Sequence, residues 1–152
     1  MALLAGGVVA YFALGRHHAA NRAVLPRLGE PFEIKRPGRK LVIAAGQACP
    51  FDIITVDGVI YEVAVSSAGT VGYISTRDPS FRTDEGFSVS STMEDLDRVG
   101  VELATFEPGW AYKRRLSSGW TAGFYRNTER SNPDSPPKDF PVSFFFKRGS
   151  GR

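Results

Sequence analysis

The residues best suited to chemistry in this chain are few. They are the adjacent pair His17 and His18, the single Cys49, and three nearby acids, Asp78, Asp84 and Glu85. A Ser-His-Asp or Cys-His catalytic group needs a histidine held inside the fold against its nucleophile. A histidine zinc site gathers its ligands from spaced positions. Two neighbouring histidines near the N-terminus suit neither. Cys49 has no second cysteine to pair with, and no histidine stands near it in sequence to lower its pKa, so it reads as a small buried residue. Asp78, Asp84 and Glu85 offer oxygens to a hard cation, but their spacing matches no calcium loop, and acidic loop residues are usually solvated. Glycoside hydrolysis needs two carboxylates facing one cleft, which nothing in the sequence enforces. The expectation is a chain that is not an enzyme and holds no metal or cofactor, with a hydrolase a distant third reading.

Binding chemistry is better represented. Residues 110–126 concentrate aromatic and arginine side chains around a Ser117-Ser118-Gly119 turn. If Leu116 pairs with Trp120, Arg114 falls opposite Ala122, Tyr112 opposite Phe124, and Trp110 opposite Arg126. One face then carries Trp110, Tyr112, Arg114, Leu116, Trp120, Phe124 and Arg126, with Arg126 placed over Trp110 as a cation–π pair. The other carries Lys113, Arg115, Thr121 and Tyr125. Two readings stand side by side. Either the aromatic face is core and Arg114 snorkels out of it, or the hairpin is a protein-binding patch, since Trp, Tyr and Arg dominate interface hot spots. The candidate protein-binding residues are Trp110, Tyr112, Arg114, Arg115, Trp120, Tyr125 and Arg126.

The elements that must position this hairpin are mostly strands. The chain's 152 residues, 42% of them hydrophobic, suit one domain with one core. LVIAA, from Leu41, is a short apolar run. IITV and VIYEVAV flank Asp57-Gly58, a strong hairpin signal, and TVGYIST completes a meander over residues 52–76. A second set follows: VELATF, WAYKRRL, WTAGFYR and, after a proline-rich loop at 127–141, VSFFFKR. Between the sets, RTDEGFSVSSTMEDL (residues 82–96) reads as a turn and a capped helix. Thr83 and Asp84 are placed to hydrogen-bond the turn, and Gly86 to take a positive φ. Ser91 and Glu94 form a capping box. Met93, Leu96 and Val99 share the buried face of a two-turn helix, which Gly100 ends as C-cap. Thr83, Gly86, Ser91 and Gly100 are therefore structural. The fold class is α+β: mainly antiparallel sheet in two meanders, one short helix between them, and an N-terminal apolar helix.

That N-terminal run, Ala2 to Leu14, is uncharged. Its thirteen residues would span about 20 Å as a helix, against a hydrocarbon layer of about 30 Å. A membrane anchor or uncleaved signal, a cleaved signal, and a buried helix all remain open. Arginines 16, 22 and 27 follow the run, which by the positive-inside rule puts the domain in the cytoplasm, whereas a start lying further upstream would remove that argument and leave an exported domain. The division is 1–15 membrane segment, 16–40 basic linker, 41–152 globular domain. The linker is either solvated or laid along anionic headgroups. Net charge is +5 over residues 1–50, −6 over 51–100 and +4 over 101–152. That pattern, without any recognisable motif, excludes a nucleic-acid partner.

The central stretch also carries a resemblance. Ile74, Thr76, Phe81, Thr83, Gly86, Phe87, Val89, Ser91, Thr92, Leu96 and Gly100 resemble a pattern recurring in small exported bacterial proteins: Phe-x-Thr-x-x-Gly, an apolar-x-Val pair, Ser-Thr, and a short helix ending in Gly. Leu116-Ser117-Ser118-Gly119-Trp120 is similar to a hairpin found there. More distantly, the helix-then-meander order resembles the outer-membrane-assembly lipoproteins and β-lactamase-inhibitor proteins. The resemblance covers about residues 59–126. It departs at Cys49, which is too far from the apolar run for lipid attachment, and at Ser90, where the pattern has glycine. It implies a domain that binds protein and is not an enzyme; the leading expectation is such a domain in the cell envelope, as an accessory subunit of a membrane complex. The alternative is a small-molecule or lipid-binding domain with its ligand between sheet and helix.

Overall fold

The computed structural model describes residues 23–99, 104–125 and 137–149. Eight strands form one sheet: β1 Lys40–Ala44, β2 Gln47–Val56, β3 Val59–Val65, β4 Val71–Thr76, β5 Thr105–Glu107, β6 Ala111–Arg115, β7 Thr121–Tyr125 and β8 Phe144–Arg148. The order is β1-β2-β3-β4-β8-β7-β6-β5, with every pair antiparallel. The two meanders are thus joined by the last strand, which inserts between β4 and β7. The Asp57-Gly58 turn is a type I′ hairpin in character: φ is 50° at Asp57 and 84° at Gly58, and both central residues of such a turn need positive φ. The β1–β2 hairpin turns at Ala45-Gly46, and β2 runs ten residues.

Alternation divides the sheet into two packed faces. On the first lie Tyr61, Val63, Ile74, Phe145, Tyr112, Leu116, Trp120, Ala122 and Phe124, covered by Phe81, Phe87, Met93 and Leu96 from outside the strands. On the second, Ala64, Tyr73, Ala111, Phe144 and Phe146 pack with Leu41, Ile43 and Phe51 of the first hairpin, and with Trp110. The sheet curls enough for Arg148 to reach both of its edge strands. Its guanidinium donates to the Ile43 carbonyl of β1 at 3.0 Å and to the Glu107 carboxylate of β5 at 2.8 Å.

Helix α1, Met93–Asp97, is five residues long, not two turns. Its N-cap is Thr92, one residue beyond the Ser91 of the sequence reading. The Asp95 N–H donates to Thr92 Oγ1 at 3.3 Å, and the Thr92 N–H donates back to Asp95 at 2.8 Å. The reason is tertiary. The Met93 and Glu94 N–H groups donate to the carbonyls of Phe140 and Lys138, so Asp95 carries the first amide left for a side chain. Ser91 is used differently: its hydroxyl accepts from the Ser88 N–H at 3.1 Å. Because the helix stops at Asp97, Val99 is 54% exposed instead of buried. Gly100 lies outside the described residues, as do residues 1–22 with the apolar segment. No described helix is long and apolar enough to cross a membrane. Thr92→Ala should cost about 1 kcal/mol through the lost cap. Urea melts would show it as a lower midpoint at unchanged slope, and an unchanged midpoint would refute the cap.

Part of the basic connector is docked on the sheet. Gly29 and Glu30 exchange backbone bonds with Val71, each 2.8 Å, and Phe32 donates to Gly69. The buried Asp52 carboxylate accepts from the Lys35 and Ile53 N–H groups and pairs with Arg36.

Candidate functional site

The hairpin register agrees with the spacing argument from Ala111 to Tyr125. Leu116 donates to Trp120, Arg114 pairs with Ala122, and Tyr112 with Phe124. Tyr112, Arg114 and Trp120 are buried, so this face lies in the core. Tyr112 packs against Phe106, and Trp120 against Phe81 and Tyr61. Arg114, only 3% exposed, does not snorkel to water. It pairs with Asp97 of α1 and also approaches the Met93 sulfur at 3.8 Å, so it ties helix to sheet.

Trp110 departs from the expected face. It closes the Glu107-Pro108-Gly109 turn, its N–H donating to the Glu107 carbonyl at 3.1 Å. Strand alternation begins only at Ala111. Its ring therefore packs on the second face, against Phe144 and Phe146. Among the described residues, Arg148 stands over it at 5.1 Å. Arg126 lies outside the described residues.

Two of the candidate binding residues, Arg115 and Tyr125, are exposed, and both belong to the second face. Arg77 donates to the Tyr125 hydroxyl at 2.6 Å and stands over its ring at 5.4 Å. Beside Arg115 runs a groove of about 710 Å³ whose lining includes Thr105, Lys113, Thr121, Phe146, Lys147 and Arg148. Its lining holds four cationic residues and no acid. The basic run KRR at 113–115 was visible in sequence. The contribution of Lys147 and Arg148 was not, since they come from a strand paired only through the fold.

Glu107 lies beyond this lining and holds two of its cations, Arg148 and Lys113, both at 2.8 Å. The Arg148 hydrogen bond outweighs partial burial and, with Lys113, holds the Glu107 carboxyl at about 2. Glu85 is also low. Burial opposes its charge, but the Ser117 hydroxyl and Ser118 N–H overcome that and bring it to about 2. Glu85 thereby fastens the 82–86 turn to the tip of the β6–β7 hairpin. Both folded pKa values lie below the ordinary 4.5. The unfolded chain binds more protons in that window, so this stabilisation is complete above about 4.5 and lost as pH falls towards 2. Melting temperature should drop across that range. Glu107→Gln should flatten part of the drop, and an identical acid profile in the variant would overturn the assignment.

The remaining sequence candidates are structural in their geometry. Thr83 is buried, its hydroxyl accepting from the Phe87 N–H at 3.2 Å. Gly86 takes φ 88°, the left-handed conformation that its turn requires. Asp78 accepts from the N–H groups of Ile60 and Ser80 and from the Ser80 hydroxyl. Cys49 is a free thiol packed beside the second core cluster. Among the described residues, no three metal-ligating side chains gather. No known protein family, curated protein or solved structure matches this chain.

Proposed function

We propose that the chain is a non-catalytic binding domain, held at a membrane or in the cell envelope by its N-terminal apolar segment, which docks an acidic protein surface as an accessory part of a membrane complex. The observation that carries this reading is the groove beside the exposed Arg115, to which Lys113 and Arg148, both held by Glu107, add further positive charge. Such a surface steers an acidic partner into place and sets its orientation. The envelope setting draws on the uncharged Ala2–Leu14 run and on the resemblance to exported proteins. A ligand held between sheet and helix is less well supported. That space is filled by Phe81, Phe87, Met93, Leu96 and the aromatic face of the hairpin.

Arg115→Glu tests the reading, because Arg115 is exposed and its reversal spares both cores. The variant should melt like the wild type and recover much less of the partner from native membranes. Equal recovery with matched melts would leave this face an ordinary solvated surface.

A further inference from the structure

The groove has a spacing as well as a charge. Lys113 and Arg115 are alternate residues of β6, so their side chains leave the same face, about 6.8 Å apart at strand rise. Thr105 stands opposite Lys113 on β5, and Thr121 opposite Arg115 on β7. The two cations are thus flanked by hydroxyls that donate or accept as needed. Among the described residues Arg115 has no acidic partner, and the Lys147 ammonium lies over the Trp120 ring at 4.8 Å. Lys113 gives one bond to Glu107, and an ammonium carries three donors. The groove crosses the sheet from Thr105 of β5 over β6 and β7 to Arg148 of β8. An extended peptide laid over this face presents alternate side chains to it, at the same repeat of about 6.8 Å.

We infer that the groove recognises an extended acidic segment of a protein, with Asp or Glu at alternate positions, whose carboxylates meet Lys113 and Arg115 in turn. This rests on the protein-binding reading and names the partner's chemistry. A phosphoryl ligand would be served by one focus of donors; the focus here, Lys113 with Arg148, is already held by Glu107, whereas the spacing of Lys113 and Arg115 along β6 suits a chain of carboxylates.

The test uses the full chain in detergent and an eight-residue synthetic peptide alternating Ser and Asp. Its controls are the Ser-Asn counterpart, a peptide of equal composition with the Asp residues grouped, and inorganic pyrophosphate. The alternating peptide should bind saturably, shift the amide resonances of Thr105, Lys113, Thr121 and Phe146, and bind more tightly than the grouped peptide. The Ser-Asn peptide should not bind. Arg115→Gln should weaken binding about tenfold, the loss of one charge-assisted contact, while Arg98→Gln on the helix should leave it unchanged. Equal binding by the Ser-Asn peptide, equal binding by the grouped peptide, shifts confined to other residues, or no effect of Arg115→Gln would each overturn the inference. Pyrophosphate binding in place of the peptide would overturn it in favour of a phosphoryl site. Should Arg115→Glu lose the native partner while no acidic peptide binds, the groove inference fails and the protein-binding reading stands.

Discussion

Gly123→Ala is expected to destroy the native packing of the sheet's centre. Gly123 sits on β7 between Lys113 of β6 and Phe144 of β8. The Phe144 ring lies directly over it. A Cβ there would stand 2.6 and 2.7 Å from two ring carbons and closer still to Cζ. The ring has nowhere to retreat, since it is packed among Tyr125 at 4.9 Å, Trp110 at 5.6 Å and Phe146 at 5.7 Å. Overpacking of this kind costs about 1–3 kcal/mol, and expelling the ring forfeits about 2–3 kcal/mol of burial as well. A loss of about 4 kcal/mol is a large share of an ordinary domain's stability. Gly72→Ala on β4 is the control, because its added Cβ would meet nothing nearer than 3.7 Å. Urea melts should place Gly123→Ala well below Gly72→Ala. Equal midpoints would mean that Phe144 yields freely and that the argument is wrong.

Phe81→Ala should be almost as damaging. Phe81 belongs to no strand, yet it is buried. Its ring meets Trp120 edge-on at 4.9 Å, Phe145 at 5.3 Å and Tyr61 at 6.1 Å. It plugs the space between the hairpin and the first meander. Truncation removes the ring and leaves a cavity that three large neighbours cannot collapse to fill, at about 3–5 kcal/mol. Trp120 fluorescence should report the loss in the folded state, with Phe81→Leu intermediate in stability. A melt within about 0.5 kcal/mol of wild type, the range of an ordinary surface change, would show that the ring is not part of the core.

The sequence by itself determined the features that short-range rules govern. Asp57-Gly58 between alternating apolar runs specified its hairpin because few residues tolerate two successive positive φ values. The pairing of Arg114 with Ala122 and Tyr112 with Phe124 followed from one turn and a period of two. Gly86 was legible for the same reason: its turn needs a conformation that favours glycine. Tertiary structure decided whatever depended on a distant competitor. The helix cap moved from Ser91 to Thr92 because the carbonyls of Lys138 and Phe140 took the first two amides. Trp110 changed faces because a turn, not a strand, sets its direction. Arg114 became a buried link because Asp97 arrives from the helix. The groove emerged only when β8 entered between β4 and β7, bringing Lys147 and Arg148 beside Lys113 and Arg115. Turn and strand preferences act over a few residues and are written locally. Surface charge and burial depend on which segments meet, and that is settled only when the whole chain packs.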